Sequence, residues 1–385
     1  MRVLLACDKF KGSLSGAQVN RILAKVWRSL APGVELDCCP IADGGEGSTE
    51  AVVLARSGSL TQVATLNAFD EPIEAPLGLL PPLGDQPDAV AEMSAASGLA
   101  LLAGRPLDPW RANTKGTGLL MTEAKRLGAS HLLLGIGGSA TNDGGCGMAQ
   151  ALGYRFLDAS GQPLTILPRD LKQLAHIEPP AQKLDLRVSV ACDVTNPLLG
   201  PQGCSAVYGP QKGVKQPELF DEALAHLVEV VKKDLGLDLS QRPGSGAAGG
   251  LGYGLQVFAG ATLQPGFGWI AHALELERRV AGADLIITGE GRMDHQTLHG
   301  KGPMGLAHMA AHHHKPILAI AGRIEDRDLL SRHFADLVAC SPDDLNLDEA
   351  IAGASALLEQ AASANLERWR HLAASFSKTC SQPPC

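Results

Sequence analysis

The chain has 385 residues, of which 19% are charged, and a formal net charge of -8. A single core usually stops growing below this length, so we expect two domains or one large domain with an insertion. The net negative charge argues against a nucleic-acid partner or an acidic membrane surface, because both require a basic face. No apolar run approaches the roughly 20 residues of a membrane span. The nine cysteines have no regular spacing, which predicts a reducing, cytoplasmic location.

The N-terminal segment predicts a strand, a helix and a second strand. Val3–Cys7 is a short apolar run. Ser15 and Gln18 have the spacing of a capping box, and apolar residues recur at helical spacing from there until Pro32-Gly33. A second strand is predicted over Val34–Cys39, so the chain opens with a β-loop-α unit followed by another strand.

The rest of the chain continues this alternation. The proline-rich segment Thr61–Pro87 predicts short strands and a domain crossing. Helices are predicted over Ala112–Leu127, Pro217–Leu235 and Leu347–Leu372, and strands over His131–Ile136, Arg187–Cys192, Asp284–Ile287, Pro316–Ala321 and Ala335–Cys340. Strands that alternate with helices indicate an α/β fold with a mostly parallel sheet.

Acidic residues follow several of the predicted strands. The carboxyl ends of parallel strands meet at one sheet edge, where ligands of α/β proteins bind. Mg²⁺ binds through one or two carboxylates together with phosphate oxygens, so this pattern suits Mg-nucleotide chemistry. Each acid taken singly is equally typical of a turn. The residues are Asp8, Asp43, Glu46, Asp143, Asp193, Glu290 and Asp294.

Two glycine-rich runs are candidate phosphate loops. Gly135–Ala140 fits the dinucleotide pattern G-x-G-x-x-A after a strand, and Asp158 lies at about the spacing of a ribose-binding acid. Pro243–Gly250 suits a phosphate equally well, or forms a surface loop. No P-loop motif occurs. The residues therefore leave three functions open: a phosphotransferase, a nicotinamide-dependent oxidoreductase acting on a hydroxy acid, and a non-catalytic module that binds organic acids.

Basic residues beside glycines or in loops could hold a phosphate or a carboxylate. They are Lys9, Lys11, Lys115, Lys212, Arg292 and Lys301. The triplet His312–His314 is interpreted as a solvated helix end rather than a metal site, because adjacent helical residues point in different directions.

Seven blocks, spread in order over nearly the whole chain, resemble the bacterial glycerate kinase family. The resemblance is far more specific than any single loop. The blocks are Ala6–Ser15, Ala42–Gly47, Gly135–Gly147, Cys192–Leu198, Tyr208–Gly213, Gly246–Gly252 and Thr288–Asp294, with Gly300-Lys301.

The resemblance implies transfer of the γ-phosphoryl group of ATP to D-glycerate with Mg²⁺, giving 2-phosphoglycerate. It also implies two α/β domains with the active site in the cleft between them. A flavodoxin-like or Rossmann-like domain would comprise residues 1–65 and 285–385, and residues 66–284 would form the inserted domain.

The predicted site residues fall into four groups. Asp193 is the predicted base, because it ends a predicted buried strand and precedes the rigid turn Asn196-Pro197. Lys11 and Arg292 are predicted to act with it on anionic groups, and Asp294 and Glu290 to lie near the metal. The predicted nucleotide contacts are Gly137, Gly138, Ser139, Thr141, Asn142, Gly246, Gly249 and Gly250. The predicted substrate contacts are Asp8, Lys9, Asp43 and Lys301.

Overall fold

The structure is a computed structural model of the whole chain. It describes residues 1–41, 45, 47–165, 168–298, 302–342 and 344–379. The strands are β1 Arg2–Leu5, β2 Glu35–Cys38, β3 Ser59–Leu66, β4 Pro72–Leu79, β5 Ala89–Glu92, β6 His131–Gly135, β7 Arg155–Leu157, β8 His176–Glu178, β9 Arg187–Ala191, β10 Thr262–Gln264, β11 Leu285–Thr288, β12 Arg292–Met293, β13 Ile317–Ala321, β14 Arg323–Ile324 and β15 Asp336–Ala339.

The helices connect most of these strands. They are α1 Gly16–Leu30, α2 Ser48–Ala55, α3 Ser94–Ser97, α4 Lys115–Arg126, α5 Cys146–Ala151, α6 Cys204–Tyr208, α7 Pro217–Leu235, α8 Ala247–Phe258, α9 Gly266–Ala273, α10 Leu276–Gly282, α11 Pro303–His312, α12 Arg327–Leu330 and α13 Leu347–Thr379. No helix in the described ranges is both long enough and apolar enough to cross a bilayer. The strand–helix alternation confirms the predicted α/β class.

The chain divides into two compact units. Unit 1 comprises Met1–Asp43 and Ile270–Cys385, and unit 2 comprises Gly44–Trp269. The sequence instead predicted limits at 65/66 and 284/285, with a domain crossing over Thr61–Pro87. In the structure β3 pairs antiparallel with β4 along its whole length, so a limit after residue 65 would cut a hairpin.

Unit 1 is built on a parallel five-stranded sheet with the order β15-β13-β11-β1-β2. Numbered by their order along the chain, these strands have the 2-1-3-4-5 order of flavodoxin-like folds, whose topological switch point lies between the first and third strands. Here those strands are β1 and β11, which pair in register from Val3 with Leu285. Ligands of such sheets bind outside the carboxyl ends of these two strands.

The capping box predicted for α1 is present. Ser15 Oγ accepts a hydrogen bond from Gln18 N, and the Gln18 side chain accepts one from Ser15 N. The apolar faces of α1 and α13 belong to one buried cluster. Trp27 of α1 and Trp369 of α13 are both fully buried in it. These two helices cover one face of the sheet through alternate strand residues such as Leu5, because successive residues of a strand point to opposite faces.

Unit 2 is built on a six-stranded sheet with the order β10-β9-β6-β5-β4-β3. The strands from β10 to β5 are parallel, and β4 and β3 add an antiparallel edge. The turn between β3 and β4 is fixed by Asn67, whose Oδ1 accepts hydrogen bonds from Phe69 N and Glu71 N. The carboxyl ends of β5, β6 and β9 therefore share one sheet edge. Polar loops follow β6 and β9, whereas β5 leads through the buried Met93 directly into α3.

Candidate active site

Two loops of unit 1 pack against each other at the switch point. Asp8 N, just after β1, donates a hydrogen bond to Gly289 O, just after β11, at 2.8 Å. A Cβ atom on Gly291 would lie 2.9 Å from Lys11 N, so the two backbones touch. The structure therefore brings the predicted substrate contacts Asp8 and Lys9, together with Lys11, beside the loop that carries Glu290. Asp43 and Lys301 lie outside the described residues.

The loop after β11 holds an ion-pair network. Thr297 Oγ1 donates to Glu290 Oε1 at 2.8 Å and accepts from Asp294 N at 3.2 Å. Arg292 Nε lies 3.3 Å from Asp294 Oδ2, and Arg292 Nη2 lies 2.7 Å from Glu325 Oε2. The two predicted metal residues are thus joined through one threonine. Their carboxylate oxygens are donors of the type that Mg²⁺ prefers, so the donor chemistry fits this ion.

Asp143 anchors the glycine-rich loop after β6 in unit 2. Its carboxylate is fully buried and accepts hydrogen bonds from Thr114 N at 2.8 Å, Thr114 Oγ1 at 2.7 Å, Gly145 N at 3.1 Å and Gly147 N at 3.1 Å. Burial raises its pKa, while these hydrogen bonds act in the opposite direction. Asp143 therefore ties this loop to the start of α4 and the start of α5.

A buried lysine lies beneath the same loop. Lys212 is 2% exposed, and its Nζ donates to Ser139 Oγ at 2.6 Å and to Thr141 O at 2.8 Å. Burial lowers the pKa of this lysine to about 8, although the charges of Cys204 and Asp143 act to raise it. A positive charge therefore stands directly under the predicted nucleotide contacts.

Two side chains of this loop have buried oxygens that lack a partner among the described residues. They are Thr141 Oγ1 and Asn142 Oδ1. The amide nitrogen of Asn142 donates to Ser205 Oγ at 2.9 Å. Buried polar atoms are normally paired, so each such exception in a native structure requires an explanation.

The glycines of the second run pack tightly instead of forming an exposed loop. A Cβ atom on Gly249 would lie 1.9 Å from Thr141 O, and one on Gly246 would lie 2.2 Å from Pro197 O. Gly249 and Gly250 also have φ values of +67° and +87° at the start of α8. Close packing against the loop after β6 thus accounts for glycine at these positions. Their contact with a nucleotide stays a prediction.

We expect Gly249→Ala to destabilise unit 2 by about 2–4 kcal/mol. The change adds a left-handed alanine and a clash with a backbone carbonyl. Gly236→Ala is the matched control: Gly236 has φ +70°, and no atom of the described residues lies within 4 Å of where its Cβ would stand, so it tests backbone strain alone, at about 1 kcal/mol. Denaturant unfolding measures both variants. Equal losses of stability would show that the close approach to Thr141 does not matter.

Asp193 follows β9 and is half-buried. Its Oδ1 accepts a hydrogen bond from Gly266 N, the first residue of α9, at 2.7 Å. This contact fixes the carboxylate by one of its oxygens. Asp193 thus accepts a hydrogen bond from the start of α9, and its role as the base stays a prediction.

Glu92, which ends the buried strand β5, is a buried acid that was not among the predicted site residues. Its carboxylate accepts hydrogen bonds from Thr49 N at 2.6 Å and Gly47 N at 3.1 Å, and so holds the first turn of α2. Burial raises the pKa of Glu92. The available signal was a single acid at the end of an apolar run, the same signal that selected Asp193.

The geometry does not fit a dinucleotide fingerprint at Gly135–Ala140. In that motif the helix opens within the glycine turn, whereas α5 begins only at Cys146. Asp158 lies in an exposed turn, where its Oδ1 accepts hydrogen bonds from Ser160 N and Gln162 N. Neither the loop Gly135–Ala140 nor Asp158 therefore has the geometry expected of a nicotinamide-binding site.

The histidine triplet ends α11. Ligand atoms of His312, His313 and Glu277 lie within 4.8 Å of one another, and His313 Nε2 is 2.5 Å from Glu277 Oε1. This is the one group of three potential metal ligands that a search of the described residues finds. His312 and Glu277 are exposed, in accordance with a solvated helix end.

Comparison with known proteins identifies the family. The Glycerate kinase family profile matches residues 3–370. The chain belongs to the glycerate kinase family. It is 41% identical to the glycerate 2-kinase of Escherichia coli K12 over 362 residues, which are 92% of this chain and 94% of that protein. It is 40% identical to the glycerate kinase of Bacillus subtilis 168 over 369 residues, which are 94% of this chain and 96% of that protein.

A solved structure of the family has the same fold. The crystal structure assigned as glycerate kinase 2 from Salmonella typhimurium LT2 superposes with a TM-score of 0.82 at 37% identity, covering 100% of both chains. The resemblance inferred from the seven sequence blocks is thus confirmed. Membership of a kinase family gives no support to the oxidoreductase alternative.

Proposed function

We propose that this chain transfers the γ-phosphoryl group of ATP to the C2 hydroxyl of D-glycerate, giving 2-phosphoglycerate and ADP. The proposal rests chiefly on the nearly full-length match to a glycerate 2-kinase at 41% identity. The geometry supports it, because each unit has polar loops at the carboxyl ends of adjacent parallel strands, where ligands of α/β sheets bind.

In the proposed reaction the glycerate hydroxyl oxygen bonds to the γ-phosphorus, and the bond from that phosphorus to the bridging oxygen of ADP breaks. Asp193 accepts the hydroxyl proton. Phosphoryl transfer depends mainly on positioning and on stabilising charge, so one carboxylate acceptor and several anion contacts suffice.

The anion contacts are proposed in both units. In unit 2 the glycine-rich segments hold phosphate oxygens; their residues are Gly137, Gly138, Ser139, Thr141, Asn142, Gly246, Gly249 and Gly250. In unit 1, Lys11 and Arg292 are cations for the phosphoryl or carboxylate groups, and Asp8, Lys9, Asp43 and Lys301 are substrate contacts.

Mg²⁺ is the proposed cofactor, with Glu290 and Asp294 as the carboxylates that would hold it. A bound Mg²⁺ neutralises phosphate charge during transfer. Arg292 competes for Asp294, since its Nε lies 3.3 Å from Oδ2.

The experiment is an assay of ADP release from ATP, Mg²⁺ and D-glycerate, with L-glycerate as the stereochemical control. Adding enolase to the product identifies the phosphorylated carbon, because enolase accepts 2-phosphoglycerate directly. We expect ADP release followed by formation of phosphoenolpyruvate. ADP release without phosphoenolpyruvate would refute the 2-phosphate product, and no ADP release would refute the kinase. Binding of glycerate without ATP consumption would favour the organic-acid-binding module.

A further inference from the structure

The unusual feature of the loop after β6 is that its supporting charge is buried. Lys212 is 2% exposed, and both of its hydrogen-bond acceptors, Ser139 Oγ and Thr141 O, are uncharged. Asp143 acts on Lys212 through its charge, but its oxygens already accept hydrogen bonds from Thr114, Gly145 and Gly147. A buried charge without a close counter-charge is costly, so an anion nearby would stabilise this arrangement.

Ser139 provides the link from Lys212 to the surface. Its Oγ accepts from the ammonium group, and among the described residues no acceptor receives the hydrogen of its own hydroxyl. Ser139 is 8% exposed, and the adjoining Gly138 is exposed. Because a hydroxyl that accepts from a cation is left with its proton to donate, Ser139 is oriented as a donor toward a ligand.

The backbone around Ser139 is held independently of Lys212. Ala140 N donates to Ser97 O at 2.9 Å, and Leu99 N donates to Gly138 O at 2.9 Å. These bonds fix both sides of Ser139 to the segment 97–99. A change at Lys212 would therefore alter charge and hydroxyl orientation while the loop keeps its backbone anchors.

We propose that Lys212 is a positioning residue that charges and orients Ser139 to bind an anionic oxygen of a substrate. The ligand chemistry is a phosphoryl or carboxylate oxygen, which ATP and glycerate respectively supply. The inference rests on the proposed function for the identity of these ligands. Thr141 Oγ1 is buried on the residue whose carbonyl accepts from Lys212, and it lacks a partner among the described residues, so it is a second polar group available in the same loop.

The test compares Lys212→Gln and Ser139→Ala with Lys215→Gln. Lys215 is exposed three positions farther along the same segment and serves as the matched control. Calorimetric titrations use ADP, D-glycerate and inorganic phosphate separately, so that binding is measured without turnover. We expect Lys212→Gln to weaken at least one of the three by about 10- to 100-fold, and Ser139→Ala to weaken the same one by about 3- to 10-fold, in the range of lost charge-assisted hydrogen bonds. Lys215→Gln should leave all three unchanged.

The ligand whose affinity falls in the variants identifies the source of the anionic oxygen. An effect on ADP assigns the loop to the nucleotide, and an effect on glycerate assigns it to the acceptor. In kinetic assays KM for that substrate should rise more than kcat falls. Unchanged affinities for all ligands in both variants, or no binding of any of them to the wild-type protein, would overturn the inference. Absence of kinase activity in the wild-type protein would instead overturn the proposed function.

The pH dependence of ligand affinity tests the role of the Lys212 charge in the wild-type protein. The pKa of Lys212 is lowered to about 8 in the folded chain, so its ammonium form is lost as the pH rises through 8. Affinity of the wild type for the responding anion should therefore fall above pH 8, and in Lys212→Gln this decline should disappear. The two other groups whose charges act on Lys212 are Cys204, with a pKa of about 11, and Asp143. If Lys212→Gln fails to fold, Ser139→Ala and the pH profile of the wild type still test the inference. A wild-type affinity that does not change with pH, together with an unaltered affinity in Ser139→Ala, would overturn it.

Discussion

Asp193→Asn is expected to lower kcat for ADP release by about 10²- to 10⁴-fold, the usual contribution of a general base. Asparagine keeps an Oδ1 acceptor for the Gly266 N–H, which in the wild type is 2.7 Å from Asp193 Oδ1, but it cannot take up the hydroxyl proton. KM for ATP and for D-glycerate should change by only a few-fold. Steady-state kinetics at saturating substrate measure this split.

Two further variants separate chemistry from structure. Asp158→Asn is the control, because Asp158 also accepts backbone hydrogen bonds through one oxygen, at 2.8 Å from Ser160 N, yet lies in an exposed turn. It should keep wild-type turnover. Asp193→Ala removes the acceptor at the start of α9 and should lower thermal stability as well as kcat. If Asp193→Asn retains kcat within about threefold of the wild type, another group is the base.

The sequence predicted the elements that depend on local patterns. The α1 capping box and the limits of α7, Pro217–Leu235, are confirmed, because caps, helical periodicity and a C-terminal glycine act over a few residues. The alternation of strands and helices then sufficed for the α/β class. α4 begins at Lys115, three residues after the predicted start at Ala112, since Asn113 instead uses its Oδ1 to accept from Lys115 N at the helix start.

The parts of the site that depend on distant contacts could not be predicted in this way. Lys212 was one of six candidate cations, and nothing in its neighbours shows that Nζ reaches Ser139 and Thr141. Glu92 follows an apolar run as Asp193 does, but its partners Gly47 and Thr49 lie far back along the chain, so its contact with the start of α2 could not be predicted. The close packing of Gly249 against Thr141 O could not be predicted, since a glycine needed for close packing and one needed for a ligand look alike in sequence.

Asp143→Ala is expected to reduce the free energy of unfolding of unit 2 by about 3–5 kcal/mol, as for other buried charges removed from their hydrogen-bonded partners. The variant would leave the N–H groups of Thr114, Gly145 and Gly147 buried without the carboxylate that accepts their bonds. Each orphaned donor costs about 1–3 kcal/mol before the loop relaxes. Calorimetry should show unfolding at a lower temperature than in the wild type, and chemical denaturation should give a midpoint at a lower denaturant concentration.

Asp185→Ala is the control for Asp143→Ala. The Asp185 side chain is 97% exposed and pairs with Lys125 at 3.0 Å on the surface, so its loss should change stability by less than about 0.5 kcal/mol. Asp143→Asn should fall between the two, because the amide keeps one acceptor oxygen but places an NH₂ group among backbone donors. Since the charge of Asp143 raises the pKa of Lys212, Asp143→Asn should lower that pKa, and the loss of anion affinity with rising pH should then begin at a lower pH than in the wild type. Wild-type stability in Asp143→Ala would mean that the loop after β6 is held by its backbone contacts alone.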